Sequence, residues 1–306
     1  MENSVYENLP EISDKSAKTR KAVSLAVYIA AGVILSLIFL FPIIFMLATS
    51  TKSESAYAAS AGRITMFLPD FANLGEAAKN YGNVFTDYGI WRYALNSLTY
   101  AAIAIVLNVL INGLAGYVMA KMDFPGKSFL SFMIIFLIVV PVETSIIPLY
   151  SIVKIMLGLK EGASVIGVIL PAAISIFNIF LFSQFFESIP QEYEEAARID
   201  GANTLVVFFR IILPLSKPIV ATVAVFCFIG VWNDYIWPSM ILPYNQEGEW
   251  PLYPIQAALT TIQSIQGITT GEIMASLIVT SIPIFIIYVL AQKYIVQGFG
   301  TAGLKM

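Results

Sequence analysis

Six long apolar runs punctuate this chain, each near or above the roughly 20 residues a helix needs to cross a bilayer. They are Ala22–Leu47, Tyr93–Met119, Phe129–Tyr150, Ala163–Phe185, Ile219–Leu242 and Ile273–Tyr294. Each reads as a spanning helix. Pro42, Pro141, Pro148 and Pro171 lie inside or at the ends of these runs, which membranes tolerate where neighbours satisfy the freed backbone groups. The polar stretches between them differ in kind. Residues 49–91 read as a long, ordered outer loop, Asp123–Lys127 as a tight inner turn, and 243–271 as a second outer loop rich in Gln, Thr, Tyr and Pro. Residues 187–218 keep helical patterning and read as a structured inner loop. The polar stretch Met1–Thr19 is too long and too acidic for a signal peptide, the run after it is too long for an h-region, and Met1–Lys21 reads as a flexible cytoplasmic tail.

Composition agrees with lipid as the solvent. Hydrophobic residues make up 58% of the chain and charged residues 12%, with a mean hydropathy of +0.79. A soluble domain is typically about a quarter charged. The expected class is therefore an all-α integral membrane protein with six transmembrane helices. Basic residues set the orientation, because they concentrate on the cytoplasmic side. With the N-terminus inside, eleven of the 17 Lys and Arg residues fall in inner segments and six in outer ones, which places both termini in the cytoplasm. Histidine is absent and Cys227 is the sole cysteine, so internal disulfides, histidine catalysis and the usual zinc sites are excluded. A net charge of −3 offers nothing to nucleic acid.

The most informative stretch runs from Ser188 to Pro218. Ser188 and Gln191 have the spacing of a capping box, with Pro190 early in the helix. Glu192, Glu194 and Glu195 would occupy the first turns, where the helix dipole favours them, and Glu194 and Arg198 stand at i,i+4. Asp200 and Gly201 end that helix, with Gly201 in the left-handed conformation. A second helix is expected from Thr204 to Leu213, stopping before Pro214. Ala196 and Ala197 are small enough for a partner to approach closely. By helix physics alone, a solvated amphipathic linker accounts for this stretch equally well.

The order Glu195-Ala196-Ala197, Gly201, Ile211, Leu213-Pro214 resembles the EAA motif of membrane subunits of ABC importers, in spacing and in its place before the penultimate span. Other segments resemble the carbohydrate branch of these permeases, the maltose and oligosaccharide type. They are Asn96-Ser97, Ala115-Gly116-Tyr117, Phe124-Pro125-Gly126-Lys127, Trp232-Asn233-Asp234 with Trp237-Pro238, and the stretch QKYIVQGFGTAGLK at Gln292–Lys305. The resemblance covers about Ala22 to Met306. It implies a type I ABC importer permease fold, with the transmembrane domain at 91–293 and its coupling loop at 187–218. The first helix and outer loop at 22–90 would precede it and a cytoplasmic tail at 294–306 follow it. It also implies a second membrane permease subunit, a cytoplasmic ATPase dimer holding ATP and Mg, and an extracytoplasmic sugar-binding protein. The ATPase-coupling residues would be Glu194, Glu195, Ala196, Ala197, Arg198, Asp200, Gly201, Ile211, Leu213 and Pro214. No cofactor is expected in this chain and it is not expected to be an enzyme, in keeping with the absence of a GxxxxGK[ST] phosphate loop.

Polar groups inside the apolar runs are candidates for a sugar path. Glu143 and Asp234 are carboxylates there, at a cost of roughly 2.5–3.5 kcal/mol for an Asp at a helix centre. Asn108, Asn112 and Asn178 are amides in spans, and Trp232, Asn233, Tyr235 and Trp237 surround Asp234. Each has a plain structural reading. The amides suit gluing helices together, the aromatics suit an interfacial belt, and Asp234 suits capping a kink. An ion-coupled secondary transporter using Glu143 and Asp234 is the alternative function, although the internal repeat and broken helices it calls for are not evident in the sequence. A membrane-embedded enzyme finds little support in two isolated carboxylates.

Overall fold

The computed structural model describes residues 14–156, 158, 165–243 and 250–302. The regular structure among them is helical. A long first helix, α1 (Asp14–Ser50), leads into an ordered segment containing α2 (Glu54–Ser60), a 3-10 turn at Ile64–Phe67 and α3 (Leu74–Thr86). Next come α4 (Ile90–Lys121), α5 (Lys127–Ile138), a 3-10 turn at Val142–Ser145, and α6 (Ile146–Met156). Then follow α7 (Val165–Ala173), α8 (Ile176–Glu187), α9 (Glu192–Ile199), α10 (Thr204–Val207), a π turn at Phe208–Ile212, and α11 (Leu213–Leu215). The chain finishes with α12 (Lys217–Asn233), α13 (Ile236–Ile241), α14 (Ile255–Ile262) and α15 (Thr270–Ala302).

Four helical segments, Arg20–Ser50, Ile90–Lys121, Val165–Glu187 and Thr270–Gln292, are long and apolar enough to cross a membrane, and the count rises to six if two bent pairs are spans. Those two pairs differ from the expected straight helices. The third run bends by 102° between Ile138 and Val142. Pro141 lies in the break. Its ring removes a backbone donor and disfavours a helical conformation in the residue before it, and Pro141 itself is extended, with ψ 130°. Consequently Glu143 sits in an exposed 3-10 turn and not within a spanning helix. The segment Thr204–Leu215 bends by 84° into α12, with Pro214 and Pro218 flanking Ser216. The fifth run also stops at Asp234, between α12 and α13. Broken helices are thus a feature of this fold, contrary to the sequence reading. A break is legible in sequence only as a proline, and many prolines in membranes leave a helix intact.

Both ends of the chain are more helical than expected. α1 reaches back to Asp14, inside the segment read as a tail, and α15 runs on to Ala302. The tail reading for 1–13 and 303–306, and Ala163 at the expected start of the fourth span, lie outside the described residues.

Packing divides the interior into two clusters. One is built around Trp232, Trp237, Tyr100 and Ile255, the other around Tyr117, Phe182, Phe186 and Phe208. α4 is common to both and crosses α8 closely. A Cβ on Gly116 would lie 2.5 Å from Phe182 Cβ and 3.1 Å from the Ile179 carbonyl oxygen. α1 has no buried residue within its apolar window, and α5 has none at all, so both present apolar surface outward.

The segment between α1 and α4 is tied down by polar contacts. Asn80 donates to the carbonyls of Ser50 (2.9 Å) and Lys52 (3.0 Å). Glu272, at the start of α15, accepts from Asn83 at 2.6 Å and from Tyr88 at 3.1 Å. Burial, then the neighbouring Glu272 carboxylate, push the Tyr88 phenol up to about 12. The expected ordered loop at 49–91 is therefore a small helical cap on the N-terminal end of α15.

Candidate functional site

At the far end of α4 the chain forms a helix–turn–helix. α9 carries Glu192, Glu194 and Glu195 in its first turn and Arg198 in its last. Gly201 has φ +82°, which an L side chain rarely adopts, and the turn it makes is the one expected from sequence. Asn203 caps the next helix by accepting from Val206 N at 2.9 Å. The helix start differs from the expected capping box. Ser188 Oγ donates to the Phe185 carbonyl at 2.6 Å, so Ser188 closes α8, and α9 begins four residues later without a side-chain cap. The second helix does not stop before Pro214 either. The missing N–H of Pro214 is accommodated by the π turn at Phe208–Ile212, and the helical path continues to Leu215.

The two faces of α9 have different tasks. Glu194 and Ala197 point inward, and both are buried. Glu194 accepts from the Tyr117 hydroxyl at 2.8 Å and lies 3.9 Å from Lys121 Nζ. Its short bond is therefore to α4, and Arg198, the partner its i,i+4 spacing suggested, reaches the same Tyr117 hydroxyl. Ala197 packs in the cluster of Tyr117, Phe186 and Phe208, so its small size serves this chain's own interior. Glu195, Ala196, Arg198, Asp200 and Gly201 are exposed, and Ile199 is 86% exposed. Ile211 and Leu213 are half-buried against the second cluster and Pro214 is exposed. Tyr117 and Lys121 were not among the expected site residues. Their i,i+4 spacing at the end of a span was the available signal.

A cleft of about 470 Å³ lies between α4, the α7–α8 pair and α12. Asn108, Ser175, Asn178 and Asp234 supply polar groups to its otherwise apolar lining. The amides are largely engaged. Asn178 donates to Asn108 Oδ1 at 2.9 Å, and Asn108 donates to the Ala172 carbonyl at 3.3 Å. Asn112 donates to the Ala173 carbonyl at 3.0 Å and accepts from Ser175 N at 3.1 Å. These carbonyls and that N–H are the groups left open where α7 gives way to α8. The amides thus act as helix glue, and two of them also edge the cleft.

Asp234 is half-buried at the break between α12 and α13, and its Oδ1 accepts from Trp237 N at 3.2 Å. It caps a kink and faces the cleft at once. The aromatics around it separate. Trp232 is fully buried and donates to the Thr280 carbonyl at 3.1 Å, and Trp237 is buried and donates to the Gly167 carbonyl at 3.0 Å. Neither is a stacking platform or part of an interfacial belt. Asn233 and Tyr235 are exposed. Glu143 does not line the cleft, although its neighbour Val142 does. Among the described residues no group of His, Cys, Asp or Glu could hold a metal ion.

The family described as binding-protein-dependent transport system inner membrane component matches residues 112–300, which take in α9 and most of the cleft. The chain is similar to the arabinooligosaccharides transport system permease protein AraQ of Halalkalibacterium halodurans, 30% identical over 227 residues, 74% of this chain and 78% of that one. It is 31% identical over 260 residues to the diacetylchitobiose uptake system permease protein NgcG of Streptomyces coelicolor, covering 85% of this chain and 82% of the relative. It also matches a chain of a crystallised bacterial ABC transporter involved in import of the acidic polysaccharide alginate. That match has TM-score 0.71 and 27% identity and covers 94% of this chain and 99% of that one. These relatives lend no support to an ion-coupled secondary transporter, and the multi-pass helical fold is that of an importer permease in the plasma membrane. The chain belongs to the family of binding-protein-dependent transport system inner membrane components.

Proposed function

We propose that this permease forms half of the path by which an ABC importer takes up a sugar or oligosaccharide, and that it meets a separate ATPase through α9. The observation that carries the reading is the outward face of α9. A short helix fixed to the bundle by Glu194 and Ala197 leaves Glu195, Ala196 and Asp200 free beside a sharp glycine turn, a shape suited to docking in a cleft of a partner. Glu195 is available to pair with a cation there. ATP and Mg would be held by the ATPase dimer, a second permease would supply the other half of the path, and a sugar-binding protein would deliver cargo from outside. Both termini and α9 would face the cytoplasm, in keeping with the bias of Lys and Arg. The cleft edged by Asp234, Asn108 and Asn178 is the part of this chain best suited to line the path. Relatives named for arabinooligosaccharides and diacetylchitobiose favour a saccharide cargo.

The test is reconstitution of the chain with its companion permease, ATPase and binding protein in proteoliposomes. ATP hydrolysis stimulated by loaded binding protein, together with uptake of the sugar it carries, is the expected result. An ATPase that responds equally without this chain would overturn the reading.

A further inference from the structure

Beside the apolar packing of Ala197, a buried carboxylate ties α9 to α4. We infer that the contact of Glu194 with Tyr117 and Lys121 is the joint through which α9 and α4 move as one body, an inference resting on the reading of α9 as the docking helix. Tyr117 and Lys121 lie one turn apart on α4. The Tyr117 ring is almost fully buried and packs against Phe186 and Phe208, from the end of α8 and the turn after α10. Its hydroxyl donates to Glu194 Oε2 at 2.8 Å. Lys121 Nζ donates to the Ile189 carbonyl at 2.5 Å and stands 3.9 Å from Glu194 Oε1, which has no hydrogen-bond partner.

A carboxylate that is 5% exposed with one oxygen unbonded depends on its short bond to Tyr117 and its ion pair with Lys121, while Arg198 of α9 also meets the Tyr117 hydroxyl. Losing either the donor or the acceptor therefore releases the joint. The loop itself would stay folded, because Ala197, Val207, Phe208 and Ile212 remain buried in the apolar cluster. Docking and stiffness are thus separable. α4 carries the joint toward the cleft as one unbroken helix of 32 residues without an internal proline. Tyr117 lies about 14 Å along that helix from Asn108, at roughly 1.5 Å per residue. Tyr100, Ala104 and Asn108 of the same helix line the cleft. Movement of the docked α9 would then be delivered to the cleft wall. Glu194 is a positioning residue here and touches no cargo.

The test compares sugar imported per ATP hydrolysed in the reconstituted complex. Glu194→Ala and Tyr117→Phe should each lower that ratio about two- to thirtyfold, the span of measured coupling changes, while stimulated hydrolysis persists. Glu194→Gln, whose amide oxygen still accepts from Tyr117, should restore most of it. An unchanged ratio in both variants, beside a wild type that imports, overturns the joint. A wild-type complex that neither hydrolyses nor imports overturns the docking reading instead. Should Glu194→Ala fail to reach the membrane, Tyr117→Phe carries the same comparison. A second measurement needs no ATPase. Nitroxides at Asp123→Cys and Ile199→Cys in the full chain in nanodiscs should give a narrow distance distribution that broadens in Glu194→Ala or Tyr117→Phe. Equal widths would overturn the joint whatever the transport assay shows.

Discussion

The Trp237 indole N–H donates to the carbonyl oxygen of Gly167 at 3.0 Å, and Gly167 stands four residues before Pro171. In an uninterrupted helix that carbonyl would accept from residue 171, which has no N–H to give. The tryptophan of α13 therefore completes the hydrogen bonding of α7. Trp237→Phe should destabilise the folded chain by about 1–3 kcal/mol, the cost of a buried carbonyl left unpaired. Restoring the backbone donor with Pro171→Ala should remove most of that cost. Thermal unfolding of both single variants and the double variant in detergent measures the coupling. Additive effects would dissociate the indole from the proline.

Two glycines should fail for different reasons. At Gly116 the obstacle is space, since an added Cβ meets Phe182 and the α8 backbone. Gly116→Ala should cost about 1–3 kcal/mol by overpacking, and Gly116→Val should reduce the yield of folded protein. At Gly201 nothing lies within 4 Å of an added Cβ and the obstacle is φ +82°. Gly201→Val should cost about 1–2 kcal/mol or more of local strain, whereas Gly201→Asn should be close to neutral. Detergent-extracted yield and melting temperature distinguish the two patterns.

Neighbouring alanines should also separate. Ala196 is exposed and Ala197 is buried among Tyr117, Phe186 and Phe208. Ala196→Trp should leave insertion and stability intact while abolishing binding-protein-stimulated hydrolysis and uptake together. Ala197→Trp should lower stability before any partner is added. Normal stimulated hydrolysis by the Ala196→Trp complex would remove α9 from the docking surface.

Asp234→Asn keeps an acceptor for Trp237 N and so should preserve the start of α13. It removes a charge that edges the cleft. Uptake should change for at least one member of an oligosaccharide panel while complex assembly, followed by co-purification, stays normal. Wild-type uptake across the panel would leave Asp234 as a cap only.

Orientation is open to labelling. Cys227 is the sole cysteine and lines the cleft, so single exposed cysteines are read in a Cys227→Ser background. Lys79→Cys, on α3, should react with an impermeant maleimide from outside intact cells, and Asn203→Cys should react only after permeabilisation. The reverse pattern would invert the topology.

Periodic and compositional features of the fold were legible in the chain. Apolar runs of spanning length force the backbone to satisfy its own hydrogen bonds in lipid, and only helices do so one segment at a time. Local chemistry likewise specified the turn at Gly201 and the cap at Asn203, because each depends on residues within a few positions of itself. The family motif, too, is a matter of spacing. What local sequence could not decide was direction. Glu194 could equally have faced Arg198 four residues on, and it turned to Tyr117, which is 77 positions away. Ala196 and Ala197 are chemically identical, and only the packing of α9 on Phe186 and Phe208 makes one a surface and the other a core. The prolines gave no warning of which would break a helix. Pro171 stays within α7, where Trp237 takes the freed Gly167 carbonyl, Pro42 and Pro283 stay within α1 and α15, and Pro141 lies in a bend of 102°. Sequence alone determined that this chain spans the membrane as helices and carries a helix–turn–helix with the spacing of the family motif. Tertiary structure decided which polar groups hold broken helices together, which edge a cleft and which residue fastens the loop, since a buried polar group takes its partner from whatever packing brings within hydrogen-bond reach.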